Sequence, residues 1–338
     1  MVRSWAWLVT LALLAGCGSP EPVRPLAVAQ AGGGSPSARA SSGDAASAVD
    51  GDPATWWAPS RLPAWLAVPL PEPAQGELQV AWDSTGLTLL NQLAAPKAYA
   101  LEACNDSTDG RNGTWRTLKQ VHSNPLRSRI ARVEAHGARW VRLVVRERWA
   151  IGPQLRSLRV VPGRSPTWLI MGDSITAQAF NPAKPNRFAH APRRPLWLGG
   201  GTGGDTAEAG ARRLASTLWL LPPGAYVGLA YGTNDATHGV PVERYKAVLR
   251  QMAEQVLASG RTPVLARPPH SLNNRLPAFV AAVDALTKEL GLPPGPDLYS
   301  WFRQHPEELG RDSVHPNARG EASIQRLWGE AAARALAK

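Results

Sequence analysis

Between residues 49 and 162, short apolar runs alternate with clusters of turn-forming residues. Ala64-Trp65-Leu66-Ala67-Val68, Glu77-Leu78-Gln79-Val80-Ala81-Trp82, Ala98-Tyr99-Ala100-Leu101-Glu102, Trp140-Val141-Arg142-Leu143-Val144-Val145 and Leu158-Arg159-Val160-Val161 each have the length and composition of a strand. Strands joined by turns, with no helical period between them, predict an antiparallel β-sandwich over 49–162. Pro162-Gly163-Arg164-Ser165-Pro166 ends that pattern. Beyond it, 168–171, 195–198, 226–231 and 263–266 are continuous apolar runs, as expected of parallel strands covered on both faces. Between the last two, Tyr245, Val248, Leu249, Met252, Val256 and Leu257 recur at helical spacing, and further helices are predicted near 205–221, 275–290 and 319–336. Strands alternating with helices predict an α/β domain with a parallel sheet over 163–338.

The first residues follow a different rule. Arg3 precedes the apolar run 5–14, which is too short to span a bilayer, and Leu14-Ala15-Gly16-Cys17 follows. This is the pattern of an export signal. The tetrapeptide resembles the lipobox of bacterial lipoproteins, which implies a signal peptide over 1–16, acylation of Cys17 and a lipid anchor in the bacterial cell envelope. An ordinary secretory signal is the alternative. Gly18 stands where an Asp would favour inner-membrane retention, which points to the outer membrane, facing the periplasm or the surface. Residues 17–48 are rich in Gly, Pro, Ala and Ser and read as a disordered tether, because so few large apolar residues cannot offset chain entropy. The other cysteine, Cys104, has no partner for a disulfide within the chain and reads as a buried small hydrophobe.

Composition removes several classes. The 338 residues suggest about two domains. With 44% hydrophobic and 19% charged residues, the chain is neither collagenous, mainly disordered nor a polytopic membrane protein. A formal charge of +11 raises nucleic acid as a partner. Its distribution argues the other way: 17 basic and 12 acidic residues lie in 18–165, 19 and 14 in 166–338, with no basic tail, zinc-finger spacing or RNA-recognition motif. No nucleic-acid partner is expected.

The candidate chemistry sits at strand ends. The run 168–171 leads into Gly172-Asp173-Ser174, placing Ser174 where a helix should begin; alone, this could equally be a helix N-cap. Gly199-Gly-Gly-Thr-Gly-Gly-Asp-Thr206 follows the second strand, and its glycines are expected to leave backbone N–H groups open to a substrate. Gly232-Thr233-Asn234-Asp235 follows the third and offers a side-chain amide. Asp312-Ser313-Val314-His315-Pro316 puts a carboxylate and an imidazole on one turn, within hydrogen-bonding reach. Together these supply a nucleophile, a base, an acid to orient it and oxyanion donors. His190, His238 and His270 read as loop or surface groups, and no cluster has zinc spacing.

These four blocks, in this order, resemble the SGNH or GDSL hydrolase superfamily over about 166–338. The resemblance implies a three-layer α/β/α fold, a serine esterase with no cofactor, Ser174 as nucleophile, and Asp312 and His315 completing the triad. It also implies the Ser174 and Gly204 backbone N–H groups and the Asn234 amide as the oxyanion hole. Gly199 and Gly203 stand where the family carries Asn and Ser, which suggests a more flexible loop.

The segment Ala48-Val49-Asp50-Gly51-Asp52-Pro53-Ala54-Thr55-Trp56-Trp57, with Ala138-Arg139-Trp140-Val141-Arg142, resembles the galactose-binding-like (discoidin, F5/8 type C) sandwich, a jelly roll. That resemblance implies a structural calcium at the Asp50–Asp52 loop, but Ser157 stands where a Glu usually completes the site, so no metal is expected. Trp56 and Trp57 read as core, with stacking on a sugar as the alternative. Trp140, Arg142 and Arg146 should share one face of a strand and, with Arg148, could hold an anionic glycan; a solvated basic face is the plainer reading. The expectation is thus an envelope lipoprotein esterase removing O-acyl, chiefly O-acetyl, groups from a carbohydrate. The alternatives are a lysophospholipase or thioesterase of the same superfamily, or a glycan-binding lipoprotein with an inactive hydrolase domain.

Overall fold

The computed structural model describes residues 37–86, 92–163, 165–184, 186–190, 195–218, 221–271 and 275–337. The export signal and Cys17 lie outside these residues. Eight strands form two antiparallel sheets: β1 (Arg39–Ala40), β2 (Ala64–Ala74), β3 (Glu77–Ser84), β4 (Pro96–Cys104), β5 (Trp115–Val121), β6 (Ser128–Glu134), β7 (Ala138–Arg148) and β8 (Leu155–Pro162). Their orders are β1-β2-β7-β4-β5 and β6-β3-β8. Alternate residues of both sheets meet in one core, with Leu66, Leu101 and Leu143 facing Val80, Trp82, Val133 and Leu158. Here the end of the expected tether is corrected. Arg39 and Ala40 pair with Ala67 and Leu66, and Ala40 and Ala48 are buried in that core.

The second half alternates strands and helices: β9 (Thr167–Gly172), α1 (Ser174–Ala179), β10 (Leu196–Gly201), α2 (Ala207–Leu218), β11 (Tyr226–Ala230), α3 (Thr233–Thr237), α4 (Val242–Ala258), β12 (Thr262–Leu265), α5 (Leu276–Glu289), α6 (Leu298–Gln304) and α7 (Ala318–Leu336). The four strands are parallel, in the order β10-β9-β11-β12. Both faces are covered, which is why the strands read as continuous apolar runs. Leu169, Met171, Val227 and Leu229 pack on α2, α4 and α5, while Trp168, Ile170 and Val264 pack on α1, α6 and α7. The strand order reverses beside β9, and a crevice at such a switch point is where open α/β sheets bind ligands.

The glycine-rich stretch differs from its sequence reading. Gly199 to Gly201 belong to β10 and are buried, so they do not form a loop. A side chain at Gly199 would meet the Phe180 carbonyl at 2.3 Å, and one at Gly201 the Ala177 nitrogen at 2.2 Å. These glycines let α1 lie directly on β10. Gly203 and Gly204 alone in this stretch have open space around them, and Gly204 has φ +77°.

The sheet β6-β3-β8 is covered on both faces. Gln79, fully buried, donates from Nε2 to the Ser165 carbonyl (2.8 Å) and to Thr167 Oγ1 (3.2 Å), and its Oε1 accepts the Ser165 N–H (2.6 Å). Ala81, Leu126 and Ile130 join the core formed by α2, α4 and α5. The sandwich is therefore packed against the α/β domain and is not a separate bead on a linker.

Candidate active site

Ser174 opens α1 directly beyond β9. The Asp173 side chain caps that helix by accepting the Ile175 N–H at 2.9 Å. Ser174 Oγ lies 2.8 Å from His315 Nε2, and His315 Nδ1 lies 2.6 Å from Asp312 Oδ2. The turn that carries the last two is built by Asp312 itself. Its Oδ1 accepts the backbone N–H of Val314 (3.0 Å) and of His315 (2.9 Å), while Ser313 takes φ +57°. Those bonds, the one from His315 Nδ1 foremost, hold the Asp312 carboxyl down at about 2, so it stays charged wherever His315 works. The structure thus brings the three predicted residues together in the geometry of a nucleophile, a base and an orienting acid.

Asn234 lies in the first turn of α3, beyond β11, and one hydrogen of its amide goes to the Asp205 carbonyl (3.0 Å). Among the described residues, the second hydrogen has no acceptor. Thr202 N–H is fixed on the Gly172 carbonyl (3.0 Å) and Ala207 N–H on both Asp235 carboxylate oxygens (3.1 Å each). The loop holding Gly204 is pinned on both sides, contrary to the flexibility expected from its glycines. The Ser174 and Gly204 N–H groups and this amide are the donors that the sequence resemblance assigns to an oxyanion.

Asp173 lies beside the nucleophile and is almost fully buried. Burial raises its pKa to about 7, against the Ile175 and Thr176 N–H groups that favour the charged form. An unfolded Asp titrates near 4, so the folded state binds the extra proton between about pH 4 and 7. The stability this group provides is complete below pH ~4 and is lost as pH rises through ~7. Asp173→Asn keeps the capping oxygen and removes the charge. Urea unfolding at pH 5 and pH 8 should show the variant losing less stability than wild type over that interval, and an identical loss in both would refute the assignment.

Residues 170–322 match the GDSL-like lipase/acylhydrolase family. They form a GDSL-type hydrolase domain. With the triad geometry, this makes the protein a carboxylic ester hydrolase. Thioesterase 1/protease 1/lysophospholipase L1 of Escherichia coli is 29% identical over 160 residues, 45% of this chain and 76% of that protein. Among solved structures, LAE5, an alpha/beta hydrolase from the metagenome of Lake Arreo, is 21% identical with a TM-score of 0.45, over 51% of this chain and 96% of that one. The acetylxylan esterase Axe2 of Geobacillus stearothermophilus is 18% identical with a TM-score of 0.44, over 50% and 94%.

The other expected site residues are dispersed. Trp57 is fully buried between the sheets, with Nε1 donating to the Ser42 carbonyl (2.8 Å), so it cannot stack on a sugar. Trp140 is 2% exposed, lying under Gly110. Trp56 is exposed. Arg142 and Arg146 share the outer face of the five-stranded sheet, but both face Glu102, at 2.6 and 3.9 Å. The Arg142 guanidinium also lies over the Trp115 ring at 4.0 Å, near Trp65. Arg127, just before β6, and Arg129, within it, are buried as well. His238 is exposed at the end of α3, and His270 lies edge-on to Tyr299.

The Asp50–Asp52 loop is closed by its own hydrogen bonds. Asp50 accepts the Asp52 N–H and the Thr55 hydroxyl, Asp52 accepts the Ala54 N–H, and the Pro53 carbonyl accepts Arg156 Nε at 2.9 Å. Among the described residues, no group of three His, Cys, Asp or Glu could hold a metal.

Proposed function

We propose that this protein is a lipid-anchored envelope esterase that removes O-acyl groups, acetyl foremost, from a carbohydrate. The observation that carries the reading is the openness of the triad, with 36% of the His315 side chain and 53% of the Asp312 side chain exposed. A sugar ring can reach the imidazole that must protonate it on leaving. Ser174 attacks the ester carbonyl as its proton passes to His315 Nε2; Asp312 holds the imidazolium, and water later releases the acyl group by the same route. On the sandwich, half-buried Trp65 and Trp115 with Arg146 replace Trp57 and Trp140 as the sugar-facing group.

Acetate release from a panel of acetylated polysaccharides, compared with hydrolysis of long-chain p-nitrophenyl esters, tests the substrate. Preference for the polysaccharides is expected. Preference for the long chains would support the second reading, a lysophospholipase or thioesterase, which the name of the Escherichia coli relative favours. The anchor is tested by fatty-acid labelling in a bacterium with the lipoprotein pathway: wild type should take up label and Cys17→Ser should not, whereas an unlabelled wild type overturns it.

A further inference from the structure

We infer that Arg213, on α2, is a positioning residue for the oxyanion hole, an inference that rests on the serine-hydrolase reading above. Its guanidinium is largely buried and ties together every strand end around the nucleophile. Nε and Nη2 lie on Asp205 Oδ2 at 2.8 and 2.7 Å. Nη1 donates to the Gly200 carbonyl of β10 (2.8 Å), and Nη2 to the Gly172 carbonyl of β9 (3.2 Å) and to the hydroxyl of Tyr231, just beyond β11 (3.3 Å). None of these partners is a reacting group. Two of them set the position of one. Gly172 precedes Asp173 and Ser174, and Asp205 follows Gly204 and offers its carbonyl to the Asn234 amide.

The consequence is one buried side chain that links the sheet to both non-nucleophile donors through Asp205. Gly204 has φ +77° and open space where a side chain would stand, so its chain neighbours place its N–H. On one side Thr202 is fixed on the Gly172 carbonyl, and on the other is Asp205, whose carboxylate is held by Arg213. Asn234 depends on the same residue through the Asp205 carbonyl. A planar fork with five donors can reach four acceptors in different directions, which one ammonium cannot do. Arg213→Lys therefore keeps the charge opposite Asp205 and loses the geometry.

The test is kcat and KM for p-nitrophenyl acetate, normalised to sites titrated with a fluorophosphonate, in full-length wild type, Arg213→Lys and Asp205→Asn. Displacing the donors by a fraction of an ångström should lower kcat by about 10- to 100-fold while KM changes by less than about threefold. The same Arg213→Lys change made in Asn234→Ala should cost less than in wild type, because one of the donors it positions is gone. Unchanged kcat per titrated site, equal effects in the two backgrounds, or loss of folding in both single variants would overturn the inference and leave Arg213 a stabilising residue. Ser174→Ala separates the two levels. If it retains turnover, the hydrolase reading fails; if it is inactive while Arg213→Lys is fully active, only the role of Arg213 fails.

Discussion

Ser174→Ala is expected to lower kcat for a short-chain ester by about 10⁴- to 10⁶-fold, and His315→Ala by about as much. The serine hydroxyl and the imidazole lie 2.8 Å apart and act as one unit, so removing either removes the activated nucleophile. The double variant should therefore be no slower than either single one, a non-additivity that independent contributions would not produce. Some rate above that in water should survive, because the oxyanion donors belong to other elements. Fluorophosphonate labelling should disappear in Ser174→Ala with the fold retained by circular dichroism. Undiminished turnover in that folded variant would move the nucleophile elsewhere.

This part of the site was legible because it is local. Asp312 and His315 are three residues apart, and the carboxylate builds their turn through the Val314 and His315 N–H groups. Ser174 sits at a strand end that the apolar run 168–171 announces. What the sequence concealed depends on distant neighbours. Gly199 to Gly201 read as an open loop because glycine permits both a loop and a close contact, and only the approach of α1 decides between them. Trp57 and Trp140 are apolar enough for a core and flat enough for a sugar, and it is the opposing sheet and the Gly110 backbone that bury them.

Charge misled in the same way. Nothing in the sequence marks Arg127 and Arg129 as buried, yet Arg127 Nε lies 3.4 Å from Asp83 and Arg129 Nη1 donates to Asn124 Oδ1 at 3.2 Å. β5 escaped detection because Arg116, Lys119 and Gln120 interrupt any apolar alternation, and its place at the sheet edge leaves it mostly half-buried. Arg213 carries no local mark at all. It stands eight residues from Asp205, and its other partners come from three strands. Gln79 is comparable: a polar residue in an apolar strand, fully buried because the α/β domain supplies its partners.

Asn234→Ala should reduce kcat by about 10²- to 10³-fold with little change in KM, the loss seen when one side-chain donor to an oxyanion is removed. The amide uses one hydrogen on the Asp205 carbonyl, 3.0 Å away, and that bond aims the other. The ground-state carbonyl carries little charge, so the donor matters most once the tetrahedral oxyanion forms, which is why kcat and not KM should move. Asn234→Asp separates this role from packing. It preserves shape but sets an acceptor against both the Asp205 carbonyl and the developing oxyanion, so it should be at least as slow as Asn234→Ala. Affinity for a boronic acid, whose tetrahedral adduct places an oxygen where the oxyanion would be, should fall in both variants in proportion to kcat. A folded Asn234→Ala with wild-type kcat would leave the oxyanion to the Ser174 and Gly204 N–H groups alone, and would confine Asn234 to bracing the Asp205 loop.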